Sequence, residues 1–124
     1  MATRDHVKVK TPHDGNAWVY EWSGLLQGDD GDWLPLPVHA DKCVQAYGTW
    51  GVGAAIVLEG TNEEGDAPAN PDVLHDPSGV NLTLSNAEGS RLKQALESPY
   101  KIRPRVSGGD GTTALTVRMI VIRG

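Results

Sequence analysis

Apolar and polar positions alternate with a period of two along most of the chain, the pattern of strands with one buried face. Over residues 17–25, Trp18, Tyr20 and Trp22 fall on one face, and Val19, Glu21, Ser23 and Leu25 on the other. Over residues 42–50, Val44 and Ala46 oppose Cys43, Gln45 and Tyr47. Residues 54–59 form the strongest apolar run of the middle region and are predicted to be a core strand. A short strand is expected around Val73-Leu74-His75, and residues 80–84 set Val80, Leu82 and Leu84 against Asn81 and Thr83. Residues 101–106 place Ile102, Pro104 and Val106 inward and Arg103 and Arg105 outward. Residues 114–123 alternate Leu115, Val117, Met119 and Val121 against Thr116, Arg118, Ile120 and Ile122. The second half of that strand is apolar on both faces, which predicts cover on both sides or a place at an interface.

Breaker residues divide these runs. Gly28-Asp29-Asp30-Gly31-Asp32 reads as an acidic turn, and Leu34-Pro35-Leu36-Pro37-Val38 can extend only at a sheet edge, because each proline removes a ladder donor. Residues 60–71 read as a long acidic loop, Asp76-Pro77-Ser78-Gly79 as a turn, and residues 107–112 as a glycine-rich hairpin loop. One helical signal occurs. Ser85 and Glu88 have capping-box spacing, and Leu92, Ala95 and Leu96 share a helical face, so about two turns of helix are predicted before Ser98-Pro99. Residues 1–16 read as an extended arm with the short alternation Val7-Lys8-Val9-Lys10 and a turn at its end. Residues 17–124 form the domain. About eight short antiparallel strands, with turns every 8 to 12 residues, predict an all-β sandwich with a jelly-roll or immunoglobulin-like topology.

The 124 residues suit one domain, large enough to hold a core without staples. A single cysteine, Cys43, allows no internal disulfide. No stretch approaches the roughly 20 apolar residues of a membrane-spanning helix, and no membrane partner is expected. Charge is segregated. Residues 1–13 carry +2, residues 14–90 carry −12 and residues 91–124 carry +5, within the total of −5. This asymmetry argues against nucleic-acid binding by the whole domain. It suits either pairing within the sheets or electrostatic docking onto a partner of mixed sign.

Candidate chemistry is thin. His6, His13, His39 and His75 show no metal-ligand spacing and read as surface or turn residues. Cys43 reads as an inert strand cysteine. Asp29-Asp30-Gly31-Asp32 lacks the ligand order of a calcium loop, and Glu63, Glu64 and Asp66 sit in a loop where a raised pKa is hard to maintain. The Gly108-Gly109-Asp110-Gly111-Thr112-Thr113 stretch lacks the lysine of a phosphate loop. No enzyme activity, metal or cofactor is therefore expected. Four tryptophans, Trp18, Trp22, Trp33 and Trp50, stand beside no phenylalanine. They suit a core, a protein interface or a sugar-stacking face.

The order Val44-Gln45-Ala46-Tyr47-Gly48-Thr49-Trp50-Gly51, then Ile56-Val57-Leu58-Glu59-Gly60-Thr61-Asn62, then Tyr100-Lys101-Ile102-Arg103-Pro104-Arg105-Val106-Ser107-Gly108-Gly109-Asp110-Gly111-Thr112 resembles the small jelly-roll cement (decoration) proteins of tailed bacteriophages. The resemblance spans roughly residues 18–123. It is one of strands and turns, and the loop over residues 63–72 departs from it in length and acidity. It implies a virion protein, made in the host cytoplasm, on the outer capsid surface. It also implies an HK97-like major capsid protein as partner and self-association as a dimer or trimer. Beside that resemblance, the arm residues Arg4, Val7 and Val9, the aromatics Trp18 and Trp22, the pair Arg103 and Arg105, and Ile120 and Ile122 are the expected contact residues. The competing expectations are a carbohydrate-binding or host-adhesion module, or another head- or tail-associated virion domain.

Overall fold

A computed structural model describes residues 2–9, 17–35, 39–65 and 67–123, and the side chains of all of these except 39, 40 and 123. The expected turn over residues 11–16 with His13, the 36–38 part of the proline-rich edge, the side chain of His39, and Asp66 lie outside this description.

Among the described residues the chain is all strand and turn, in two sheets packed face to face. The strands are β1 (Thr3–Arg4), β2 (His6–Val9), β3 (Ala17–Leu25), β4 (Asp30–Gly31), β5 (Leu34–Pro35), β6 (His39–Thr49), β7 (Ala55–Thr61), β8 (Asp72–Val73), β9 (Thr83–Ser85), β10 (Leu92–Ala95), β11 (Lys101–Ser107) and β12 (Ala114–Arg123). A five-stranded sheet has the order β10-β6-β12-β3-β2. The other sheet runs β1-β4-β11-β7-β8, with β5 also on β11 and β9 also on β7. All ladders are antiparallel except β1 with β4, which is parallel. The architecture is thus the expected jelly-roll-like sandwich, with more and shorter strands.

The core lies between the sheets. It takes Val44 and Ala46 from β6, Ile56 and Leu58 from β7, Ile102 and Val106 from β11, and Leu115, Val117, Met119 and Val121 from β12. Period-two alternation predicts those of β6, β11 and β12, and the apolar run over residues 54–59 predicts those of β7. Leu25 breaks the pattern because β3 carries a bulge. Leu115 pairs with Leu25 but Val117 with Trp22, so β3 holds one extra residue there. Gly24, at φ +66°, supplies the left-handed residue. The bulge turns Leu25 inward beside Trp22, and both are fully buried.

Two local expectations are corrected, and a third gains its structural basis. The predicted helix is absent, and residues 92–95 form strand β10 on the open edge of β6, with Leu92 opposite Gln45 and Ala95 opposite Lys42. Ladder bonds to β6 satisfy this backbone in place of helical ones. Gly89, at φ +80°, turns the chain just before the strand. Only Ala95 of the three supposed helix-face residues is buried, while Leu92 and Leu96 are exposed. The glycine-rich stretch after β11 is not a hairpin, since β11 and β12 belong to different sheets. It is an arch held by Asp110, whose carboxylate accepts from the N–H groups of Val52 (2.9 Å) and Thr112 (2.8 Å). The acidic loop after β7 is built around Glu63, which accepts from the amides of Asn70 (2.7 Å) and Ala69 (3.3 Å).

The described part of the arm lies on the body. Strand β2 pairs with β3, with Val7 opposite Glu21 and Val9 opposite Val19. Asp29 holds the first residues: its carboxylate accepts from the amides of Ala2 (2.9 Å) and Leu26 (2.9 Å) and from Arg4 Nε (3.1 Å). Burial alone would raise the Asp29 pKa, but the donors from Leu26, Ala2 and Arg4 outweigh it and hold the carboxyl below its ordinary value of 3.8. Since the folded value lies below the unfolded one, this contribution is complete above about pH 4 and fades as the pH falls through the depressed value. Asp29→Ala is expected to strip hydrogen-exchange protection from the amides of β1 and β2 while leaving those of β12 protected. Unchanged protection in β1 would show that the ladders alone hold the arm.

Candidate interaction surface

Alternation along five strands also builds the outer face of the five-stranded sheet. One row crosses every strand in register: Val9, Val19, Ile120, Cys43 and Gln94. The next row is Val7, Glu21, Arg118, Gln45 and Leu92. Ile122 continues the first row's apolar character along β12. The result is an apolar band with Ile120 near its centre and Val7 (61 %), Leu92 (57 %) and Ile122 (41 %) standing into solvent. Two shallow depressions of about 330 and 200 Å³ share Cys43 and Ile120 in their walls. A strong ion pair, Arg118 Nε to Glu21 Oε2 at 2.5 Å, crosses the second row and leaves little net charge there. Burial pushes the Cys43 thiol pKa up, so the thiol is protonated and serves as a small apolar group.

Four of the anticipated contact residues, Val7, Val9, Ile120 and Ile122, therefore share one surface. The others lie elsewhere. Arg4 is tied to Asp29. Trp18 packs against the core from the inner side of β3, with Lys8 Nζ 5.2 Å from its ring centroid. Trp22 belongs to the core, not to the surface. It is fully buried, and its Nε1 donates to Asp32 Oδ1 at 2.9 Å. Arg103 and Arg105 do face outward, but on the opposite sheet, where both pair with Glu59 at 3.0 and 3.3 Å. Arg103 also lies 3.6 Å from Asp30 and stacks on Trp33 at 4.5 Å. The basic strand β11 is thus neutralised by its own sheet, as segregated charge allowed.

Val19, Cys43 and Leu92 complete the band and were not singled out from sequence. A lone apolar residue on a polar face carries no signal until the register aligns it with others. The aromatic residues build no open platform. Trp22 and Trp50 are buried, Lys8 lies over the ring of Trp18, and Lys101 and Arg103 lie over that of Trp33. The carboxylates of Asp29, Asp30 and Asp32 turn to different partners: the arm, Arg103 and His6. Among the described residues no group of three His, Cys, Asp or Glu is placed to hold a metal ion.

No known family profile matches the chain, and no curated protein matches it in sequence. Solved structures do share its architecture. The SPBc2 prophage-derived protein YomS is 13% identical, with a TM-score of 0.58 over 90% of this chain and 99% of that one. A cupin domain from Bordetella pertussis Tohama I is 17% identical, with a TM-score of 0.50 over 100% of this chain and 99% of that one. At such identities the likeness is one of fold, and the chain is an all-β sandwich of the kind found in cupins and in a prophage-derived protein.

Proposed function

We propose that this protein is a bacteriophage capsid decoration protein. It docks on the outer surface of an assembled head, as a dimer or trimer, and stabilises contacts between major capsid protein subunits. The observation that carries this reading is the register-aligned apolar band on an open sheet face, with Ile120 near its centre. Five paired strands hold that face rigid, so docking orders few side chains and little binding energy is lost to entropy. A clamp of this kind works by mass action, stabilising whichever state it binds. Stable contact needs on the order of 1,200–2,000 Å² of total buried surface. The fold shared with a prophage-derived protein is consistent with a phage setting. The reading requires binding only and no catalytic step. The tryptophans favour a sugar-stacking function less, since two are buried and a cation lies over each of the other two rings.

Purified protein is expected to add back to expanded heads stripped of it and to raise the temperature at which they release DNA. It is also expected to co-purify with full virions in hundreds of copies (roughly the subunit count of a shell). A handful of copies would place it in the tail instead, and failure to rebind would sink the decoration reading.

A further inference from the structure

Alternation gives the apolar band a relief as well as a composition. Cys43 of β6 and Ile120 of β12 lie opposite each other and form a low ridge across the outer face. The same-face pairs on either side are Asp41 with Ile122 and Gln45 with Arg118. The two depressions lie between successive pairs. The larger, about 330 Å³, is bounded by the ridge on one side and by Asp41 and Ile122 on the other. The smaller, about 200 Å³, is bounded by the ridge and by Gln45 and Arg118, with Val19 and Leu92 at its ends.

Spacing and charge specify what such a surface takes. The depressions are one two-residue repeat apart along the strands, roughly 7 Å. Side chains i and i+2 of any extended chain project from one face at that same interval. An extended segment lying along the furrow between β6 and β12 therefore sets two successive same-face side chains astride the Cys43–Ile120 ridge. This is the interdigitation by which stacked sheets pack. Arg118 is taken within the face by Glu21, at 2.5 Å, and the Cys43 thiol is protonated. The ridge and its two hollows thus favour apolar side chains. Asp41 differs. It is exposed at the far end of the larger depression and has no ion-pair partner among the described residues. A side chain one strand repeat beyond that depression passes beside its carboxylate, which favours a cation there.

We propose that this face receives an extended segment of the capsid subunit, with a lysine or arginine at position i beside Asp41 and apolar side chains at i+2 and i+4 in the two depressions. The inference rests on the decoration reading and specifies the partner's chemistry at the same surface. Five paired strands fix the receptor side, so docking orders chiefly the incoming segment.

Two measurements test it, and the first needs no capsid. The probe is the hexapeptide acetyl-Lys-Thr-Val-Thr-Val-Thr-amide, which when extended carries its lysine and both valines on one face. The control, acetyl-Lys-Thr-Val-Val-Thr-Thr-amide, has the same composition with its valines on opposite faces. In NMR titrations of the full chain at millimolar peptide, the probe should shift the amide signals of Cys43, Leu92 and Ile120 and leave those of Arg103 and Arg105 in place. The control should shift none of them. Asp41→Asn should weaken the response. Cys43→Phe, which fills both depressions from the ridge without adding charge, should remove it. The second measurement uses expanded heads. Cys43→Phe should bind them about tenfold or more weakly, whereas Cys43→Ser, which keeps the ridge low, should bind as the parent does. No shift in the parent protein, or equal shifts with both peptides, would overturn the proposal. Head binding by the parent without a peptide response keeps decoration and ends the extended-segment inference. A peptide response from a protein that never binds heads keeps the recognition of an extended segment and removes the capsid subunit as its source.

Discussion

Replacing Trp22 by alanine should destabilise the domain by about 3–5 kcal/mol, the usual cost of removing a large aromatic side chain from a core. The indole is fully buried and bridges the two sheets. A Cβ added to Gly31 of the facing sheet would come within 2.7 Å of its ring and 2.6 Å of Pro104, so the backbone there is shaped around the ring. Its Nε1–H donates to Asp32 Oδ1 at 2.9 Å, and the same oxygen takes the His6 amide at 2.9 Å. The alanine variant thus loses packing and one donor to a carboxylate that also holds the arm. Against a typical total of about 5–15 kcal/mol, the loss is a large share of stability. A thermal or urea melt should show it as a fall in Tm of roughly 10–20 °C. Trp22→Phe should recover most of the packing and leave only the lost hydrogen bond, about 1–3 kcal/mol. Equal stability of parent and alanine variant would mean that the ring is not part of the core.

The position of Trp22 shows where reading from sequence stops. Strict alternation put Trp18, Tyr20 and Trp22 on one face, and that is correct. The same alternation put Leu25 on the other face, because the extra residue of the bulge at Gly24 is invisible until β3 is paired with β12. Inward residues of β6, β7, β11 and β12 were legible because one face of each is buried and, Lys42 of β6 apart, takes apolar residues. Residues 92–95 were misread because their helical spacing was real but the free edge of β6 was a stronger partner, a tertiary effect that no local window contains. The arch after β11 looked like a hairpin because loop chemistry does not say whether the flanking strands share a sheet.

The candidate surface was legible in half. Ile120 and Ile122 stood out because β12 is apolar on both faces, which a half-solvated strand does not need. Val7 and Val9 stood out by their alternation in the arm. That these four meet on one face depends on β3 lying between β2 and β12, a matter of sheet order. Arg103 and Arg105 were read correctly as outward. Their neutralisation by Glu59 and Asp30 depends on β7 and β4 flanking β11, pairings separated by tens of residues in the chain.

Ile120→Glu should separate docking from folding. Ile120 sits on the solvent side of β12 between Val19 and Cys43, so a longer polar side chain meets no core atom. Its effect on stability should stay within about 1 kcal/mol, the span of strand propensities on such a surface. Binding is another matter. A charge at the centre of an apolar contact must be desolvated without a partner, and loss of a central anchor costs roughly 2–4 kcal/mol. Affinity for expanded heads should therefore fall about thirty- to a thousandfold, with an unchanged melting curve. Arg105→Ala, on the opposite sheet and already paired with Glu59, should bind heads as the parent does. If Ile120→Glu rebinds heads normally and Arg105→Ala does not, the docking surface is the charged sheet rather than the apolar one. If both rebind normally, contact is made through neither sheet face, and the rims of the sandwich become the place to look.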